Sequence, residues 1–118
     1  MRIFAILLSI LLVTSGGGAA HAHAMLDRAS PAVGSTVQSA PREVTLSFTL
    51  NIEAASSTVQ VTDSAGARVD QGKSQVNGAT MRVGLKALKP GSYRVRWLVL
   101  SADGHTSEGN FGFTVGGL

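Results

Sequence analysis

The sequence predicts an all-β domain, a Greek-key sandwich or flattened barrel of about seven short strands. Three observations lead there. Apolar and polar residues alternate along several short segments, the period of a half-buried strand. Glycine, proline and asparagine turn signals separate those segments at close intervals. No segment carries a sustained helical period with caps.

A short strand precedes Ser30-Pro31-Ala32-Val33-Gly34, a turn in which proline presets one backbone angle and glycine permits the reversal. The pattern is clearest from Glu43 to Leu50. Val44, Leu46, Phe48 and Leu50 take one face there, and Glu43, Thr45, Ser47 and Thr49 the other. Val59 and Val61 alternate with Thr58, Gln60 and Thr62; Asp63-Ser64-Ala65-Gly66 then turns the chain, so that Arg68-Val69-Asp70 returns as a hairpin partner. Asn77-Gly78 is a strong reversal signal and predicts a strand over Ala79 to Leu85. After the turn at Lys89-Pro90-Gly91, Tyr93, Val95, Trp97 and Val99 share one face, while Arg94 and Arg96 share the other with Leu98 and Leu100. This reads as a central strand. Phe111, Phe113 and Val115, alternating with Gly112 and Thr114, form the last one.

The 118 residues fit one domain, and the first stretch reads as a targeting segment. Arg2 supplies a positive start, Ile3 to Val13 an apolar run too short to span a bilayer, and Ala20-His21-Ala22 small residues at both positions that signal peptidase reads. Cleavage after Ala22 is favoured, with cuts after Ala20 or Ala24 as alternatives. The expected organisation is a cleaved signal peptide, residues 1–22, and a single domain, residues 23–118, carried outside the inner membrane. Excising residues 1–22 removes Arg2 and no acid, so nine basic residues face seven acidic ones and the net charge falls from +3 to about +2. The basic residues are scattered, which argues against nucleic acid as a partner. There is no cysteine, so thiolate is absent from the ligand set, and an exported domain this small must be held by its core or by bound metal.

Cleavage after Ala22 makes His23 residue one, with an α-amine and an imidazole that together chelate one metal ion. Asp103-Gly104-His105 adds a carboxylate and a second imidazole at i and i+2, which point the same way in an extended segment. Glycine between them lets the backbone bend toward the ion. Three nitrogens and one oxygen suit tetragonal Cu(II), the strongest binder among common divalent ions, with zinc as the competitor. After cleavage only two histidines remain, one at the terminus and one beside a carboxylate. The plainer reading makes His23 a frayed end and Asp103 and His105 members of a connecting loop.

These residues resemble the periplasmic copper-resistance protein C (CopC) family over nearly the whole mature chain. The marks are His23, with Pro31 eight residues on in Ala29-Ser30-Pro31-Ala32-Val33-Gly34; Val44-Thr45-Leu46-Ser47-Phe48; and Leu88-Lys89-Pro90-Gly91-Ser92-Tyr93-Arg94-Val95-Arg96-Trp97. The most specific is Val99-Leu100-Ser101-Ala102-Asp103-Gly104-His105-Thr106, followed by Gly109-Asn110-Phe111-Gly112-Phe113. The resemblance implies a cupredoxin-like or immunoglobulin-like sandwich and one Cu(II) held by the His23 amine and imidazole, Asp103 and His105. It also implies a carrier that buffers copper, confers resistance or delivers the ion to a CopD-type inner-membrane transporter, acting as a monomer and not as an enzyme. Two departures stand out. Leu50 occupies the place of the family's frequent glutamate, leaving Glu53 as a nearby substitute; and only Met25 and Met81 remain where some members carry a methionine-rich Cu(I) segment.

Two other readings fit parts of the sequence. A histidine-brace copper monooxygenase shares the terminal histidine, but such enzymes are longer, and the Asp103 oxygen would favour the oxidised ion. A metal-free immunoglobulin-like accessory module fits the composition. A hydrolase built on Ser101, Asp103 and His105 is excluded by their crowding at one strand end, which cannot form the usual relay.

Overall fold

In the computed structural model, which describes residues 23–117, alternation does become strand. The chain forms β1 (Leu26–Ser30), β2 (Thr36–Val37), β3 (Glu43–Phe48), β4 (Thr58–Asp63), β5 (Asp70–Asn77), β6 (Thr80–Leu85), β7 (Gly91–Leu100) and β8 (Thr106–Val115), with one short 3-10 turn at Ala54–Ser56. They pair as two four-stranded sheets, β1-β3-β6-β5 and β2-β8-β7-β4. The expected targeting segment, residues 1–22, lies outside the described residues.

The all-β sandwich expected from the sequence is the observed one, and three of its details differ. β2 is an added strand of two residues, parallel to β8 through Thr36↔Thr114 and Val37↔Val115, too short to show any alternation. β8 begins at Thr106 and not near Phe111. Its first half carries Ser107 and Gly109 at inward positions, so no apolar period marks it. The reason is Trp97: a Cβ on Gly109 would stand 2.6 Å from the Trp97 Cζ2 atom. The third difference concerns the segment after Asp63. Val69 N–H does reach Val61 O at 2.8 Å, as a returning hairpin requires, but the chain then crosses to the other sheet and continues as β5 against β6. At the Asn77-Gly78 signal the expected hairpin forms. Asn77 pairs with Thr80, and Gly78 adopts φ 65°, a left-handed angle that favours glycine.

The inward rows of both sheets make one core. Val44, Leu46 and Phe48 with Met81, Val83 and Leu85 face Val59 and Val61, Tyr93 to Val99 in alternation, and Phe111, Phe113 and Val115. Each fully buried side chain contributes about 1.5–3 kcal/mol. Phe48 and Trp97 meet edge to face across the layers at 5.1 Å. This contact sets the end of β3 above the later half of β7. Tyr93 stacks on Phe113 at 5.4 Å and its hydroxyl donates to Lys89 O at 2.5 Å, which holds the corner into β7.

Without cysteine, the open edge between β4 and β5 is tied by a carboxylate. Asp70, buried on β5, accepts from Val61 N–H of β4 at 2.7 Å and from Gly72 N–H at 2.8 Å. Arg68 Nε and Nη2 donate to its two oxygens, each at 2.8 Å. Burial pushes the Asp70 carboxyl up, but the Arg68 hydrogen bond, the Val61 N–H, the Arg68 charge and the Gly72 N–H outweigh it and hold it below the usual carboxylate range.

Candidate metal centre

One end of the sandwich collects the sequence-predicted ligands. Ser101 to His105 form the loop between β7 and β8, closed by Ser101 N–H to His105 O at 2.8 Å and Gly104 N–H to Ser101 O at 2.9 Å. Gly104 sits at φ 96°, a backbone angle that side-chain-bearing residues seldom adopt, and this lets Asp103 and His105 face each other within so short a turn. His105 Nδ1 stands 3.3 Å from Asp103 Oδ1, with both side chains about half exposed, 40% and 45%.

His23 reaches this loop because the residues after it are pinned. Ala24 is fully buried in the core. Met25 N–H donates to Thr49 Oγ1 at 3.0 Å, and Thr49 N–H donates to Met25 O at 2.9 Å, extending the β1–β3 ladder by one step. The Phe48–Trp97 contact has already set that end of β3 over β7. His23 therefore emerges beside the β7–β8 loop, and its ring lies 5.1 Å from that of His105, edge to face. The chain after β3 braces the same loop: Ala102 N–H donates to Asn51 O at 2.9 Å, Glu53 N–H to Leu100 O at 2.8 Å, and Ile52 bridges to Ser101.

The Asp103 carboxyl is held below its usual range. The Ser101 hydroxyl hydrogen bond is the largest influence; burial opposes it, and the hydrogen bonds and charge of His105 add to the lowering. The lowering favours the ionised carboxylate beside the His105 imidazole. Among the described residues, no three His, Cys, Asp or Glu side chains form a ready-made metal cluster. In the full chain the His23 nitrogen is a peptide nitrogen joined to Ala22, and only cleavage after Ala22 converts it to an amine donor.

The other candidates fall around the site. Leu50, half-buried, packs on the core, so the position of the family's frequent glutamate serves packing here. Glu53 is exposed, with its backbone tied beside Ser101. Met25 is 59% exposed two residues from His23, and Met81, the second residue of β6, is buried in the core. Two residues that position the site were not singled out as such from sequence. In the sequence Ala24 figures only as an alternative cleavage position, and Ser101 only as a member of the Asp-x-His motif segment and of the rejected hydrolase set. Only the register of β1 on β3 and the closure of the loop show what they hold.

A two-sheet β-sandwich with paired histidines and a carboxylate at one end is thus a scaffold able to offer nitrogen and oxygen donors to a metal ion. Residues 26–116 match the CopC domain, and the chain belongs to the CopC family. It is 36% identical over 99 residues to the copper transport protein CutJ of Bacillus subtilis, a match covering 80% of this chain and 18% of CutJ. Protein YobA of Escherichia coli is 32% identical over 98 residues, covering 80% of this chain and 79% of YobA. The chain thus spans less than a fifth of CutJ and most of YobA. Among solved structures, CopC from Methylosinus trichosporium OB3b superposes with a TM-score of 0.75 at 34% identity, covering 80% of this chain and 94% of that one. PcoC, a methionine-rich copper resistance protein from Escherichia coli, gives 0.71 at 29% identity, covering 80% and 99%.

Proposed function

We propose that this protein is an exported Cu(II) carrier of the periplasm, binding one ion per chain. In this reading residues 1–22 are removed, and the ion is held by the His23 amine and imidazole, the Asp103 carboxylate and the His105 imidazole. The observation that carries it is the placement of the His23 ring 5.1 Å from His105, itself 3.3 Å from Asp103. The burial of Ala24 and the Met25–Thr49 hydrogen bond support this placement of the imidazole. Two imidazoles, an amine and a carboxylate suit tetragonal Cu(II), and the lack of thiolate and of a methionine-rich segment disfavours Cu(I). Membership of the CopC family and the copper transport and resistance roles named for CutJ and PcoC support a carrier over an enzyme. In this reading the recipient is a CopD-type copper transporter of the inner membrane, served by a monomeric domain.

Mass spectrometry of the secreted protein and equilibrium dialysis test this together. The expected mature form begins at His23 and retains one equivalent of Cu(II). The same protein with one glycine placed before His23 loses the amine from the chelate and binds at least a hundredfold more weakly, on the order of 3 kcal/mol. Equal retention by the extended form refutes the terminal chelate.

A further inference from the structure

We infer that Ser101 is the positioning residue of the metal centre: its buried hydroxyl holds Asp103 Oδ1 and fixes which carboxylate oxygen the loop presents to the ion. The inference rests on the copper reading above and deepens it. Ser101 is fully buried at the end of β7. Its Oγ donates to Asp103 Oδ1 and accepts from His105 N–H at 3.2 Å. The His105 carbonyl lies 3.1 Å from the same oxygen but already takes Ser101 N–H at 2.8 Å. One hydroxyl carries one proton, so the proton goes to the charged acceptor, which forms the stronger bond.

This one side chain therefore touches both members of the Asp-x-His pair, one through its carboxylate and the other through its backbone. Asp103 is nearly half exposed, and an exposed carboxylate on its own samples several rotamers. With Ser101 Oγ and His105 Nδ1 both at Oδ1, that oxygen is occupied, which leaves Oδ2 as the oxygen to offer to the ion. Ser101 does not itself ligate. Its scaffold is fixed from the β3–β4 connection as well, through the bridge to Ile52, so the hydroxyl is a rigid reference point for an otherwise solvated loop. Groups that orient a metal ligand typically change affinity by about 10- to 100-fold when removed.

The test uses the mature protein beginning at His23, with Cu(II) affinity measured by chelator competition and the ligand set read by electron paramagnetic resonance. Ser101→Ala is expected to weaken Cu(II) by about 10- to 100-fold and to shift the spectrum toward that of Asp103→Ala. Ser101→Thr, which keeps the hydroxyl, restores both. In the Asp103→Ala background, Ser101→Ala changes the affinity no further, because the group it positions is already gone. Far-UV circular dichroism at the titration temperature verifies folding. Asp103→Glu, a change at an exposed position, provides a route that leaves the core untouched: its longer stem carries the carboxylate past the hydroxyl, and it too must lose at least tenfold. Wild-type affinity and spectrum in Ser101→Ala, or in Asp103→Glu, overturn the assignment. So does an equal further loss from Ser101→Ala in the Asp103→Ala background, which would mark the hydroxyl as a part of the fold alone. Failure of the copper reading itself is visible first, as a wild-type protein that retains no Cu(II).

Discussion

Replacing Asp70 by alanine should loosen the sandwich at its β4–β5 edge without touching the candidate metal centre. The carboxylate takes four donors, two from the backbone and two from Arg68, and they are not equal. Val61 is fully buried, so its N–H loses its partner in a place water cannot reach, which costs about 1–3 kcal/mol. Gly72 is exposed and its N–H turns to water at little cost. The Arg68 side chain is 47% exposed, so the ion pair is screened and adds about 0.5–1 kcal/mol. The total is about 2–4 kcal/mol, and for a domain of this size the melting temperature should fall by about 10–25 °C. Asp70→Asn keeps one acceptor for Val61 and should lose roughly half as much. Arg68→Ala, which leaves the carboxylate on its two backbone donors, should cost about 1 kcal/mol. Urea unfolding of the metal-free mature protein at neutral pH measures all three. The reasoning is refuted by an Asp70→Ala protein within about 0.5 kcal/mol of wild type, or by Arg68→Ala proving the more damaging change.

Because the Asp70 carboxyl is held lower in the folded chain than in the unfolded one, its contribution is fully present above about pH 4 and is lost as the pH falls through the folded value; acid unfolding curves of wild type should steepen there relative to Asp70→Asn, and superimposable curves would count against the latch. Gly109→Ala forces a methyl to within 2.6 Å of Trp97, whose ring is already packed on Phe48, so a loss of about 1–3 kcal/mol is expected in thermal melts, with an unchanged melting temperature as the contrary result. Copper retention should decline on acidification, since amine and imidazole nitrogens bind metal only when deprotonated; dialysis showing a profile flat with pH would exclude nitrogen ligation. Ala24→Leu overpacks the site that pins the amino end, and both stability and Cu(II) affinity should drop together, whereas Met25→Leu, at an exposed position, should leave Cu(II) affinity unchanged.

Most of the strands were legible because their faces differ. Val44, Leu46 and Phe48 announce β3, and Tyr93, Val95, Trp97 and Val99 announce β7, since a half-buried strand must alternate. The chemistry of the candidate ligands was equally readable: His23, Asp103 and His105 are the donors that residue type and spacing single out. What a linear pattern could not hold is information carried by pairs far apart in the chain. The first half of β8 is silent because Gly109 yields its space to Trp97, twelve positions earlier. The crossing of β5 to the other sheet depends on a carboxylate at 70 finding an N–H at 61. Above all, the distance between His23 and His105 follows from the burial of Ala24, the Met25–Thr49 bonds and the Phe48–Trp97 contact. Periodicity and residue chemistry are local properties, so the sequence alone determined the class of fold and the donor types; proximity is a product of packing, and only the tertiary structure decided that those donors meet at one end of the sandwich.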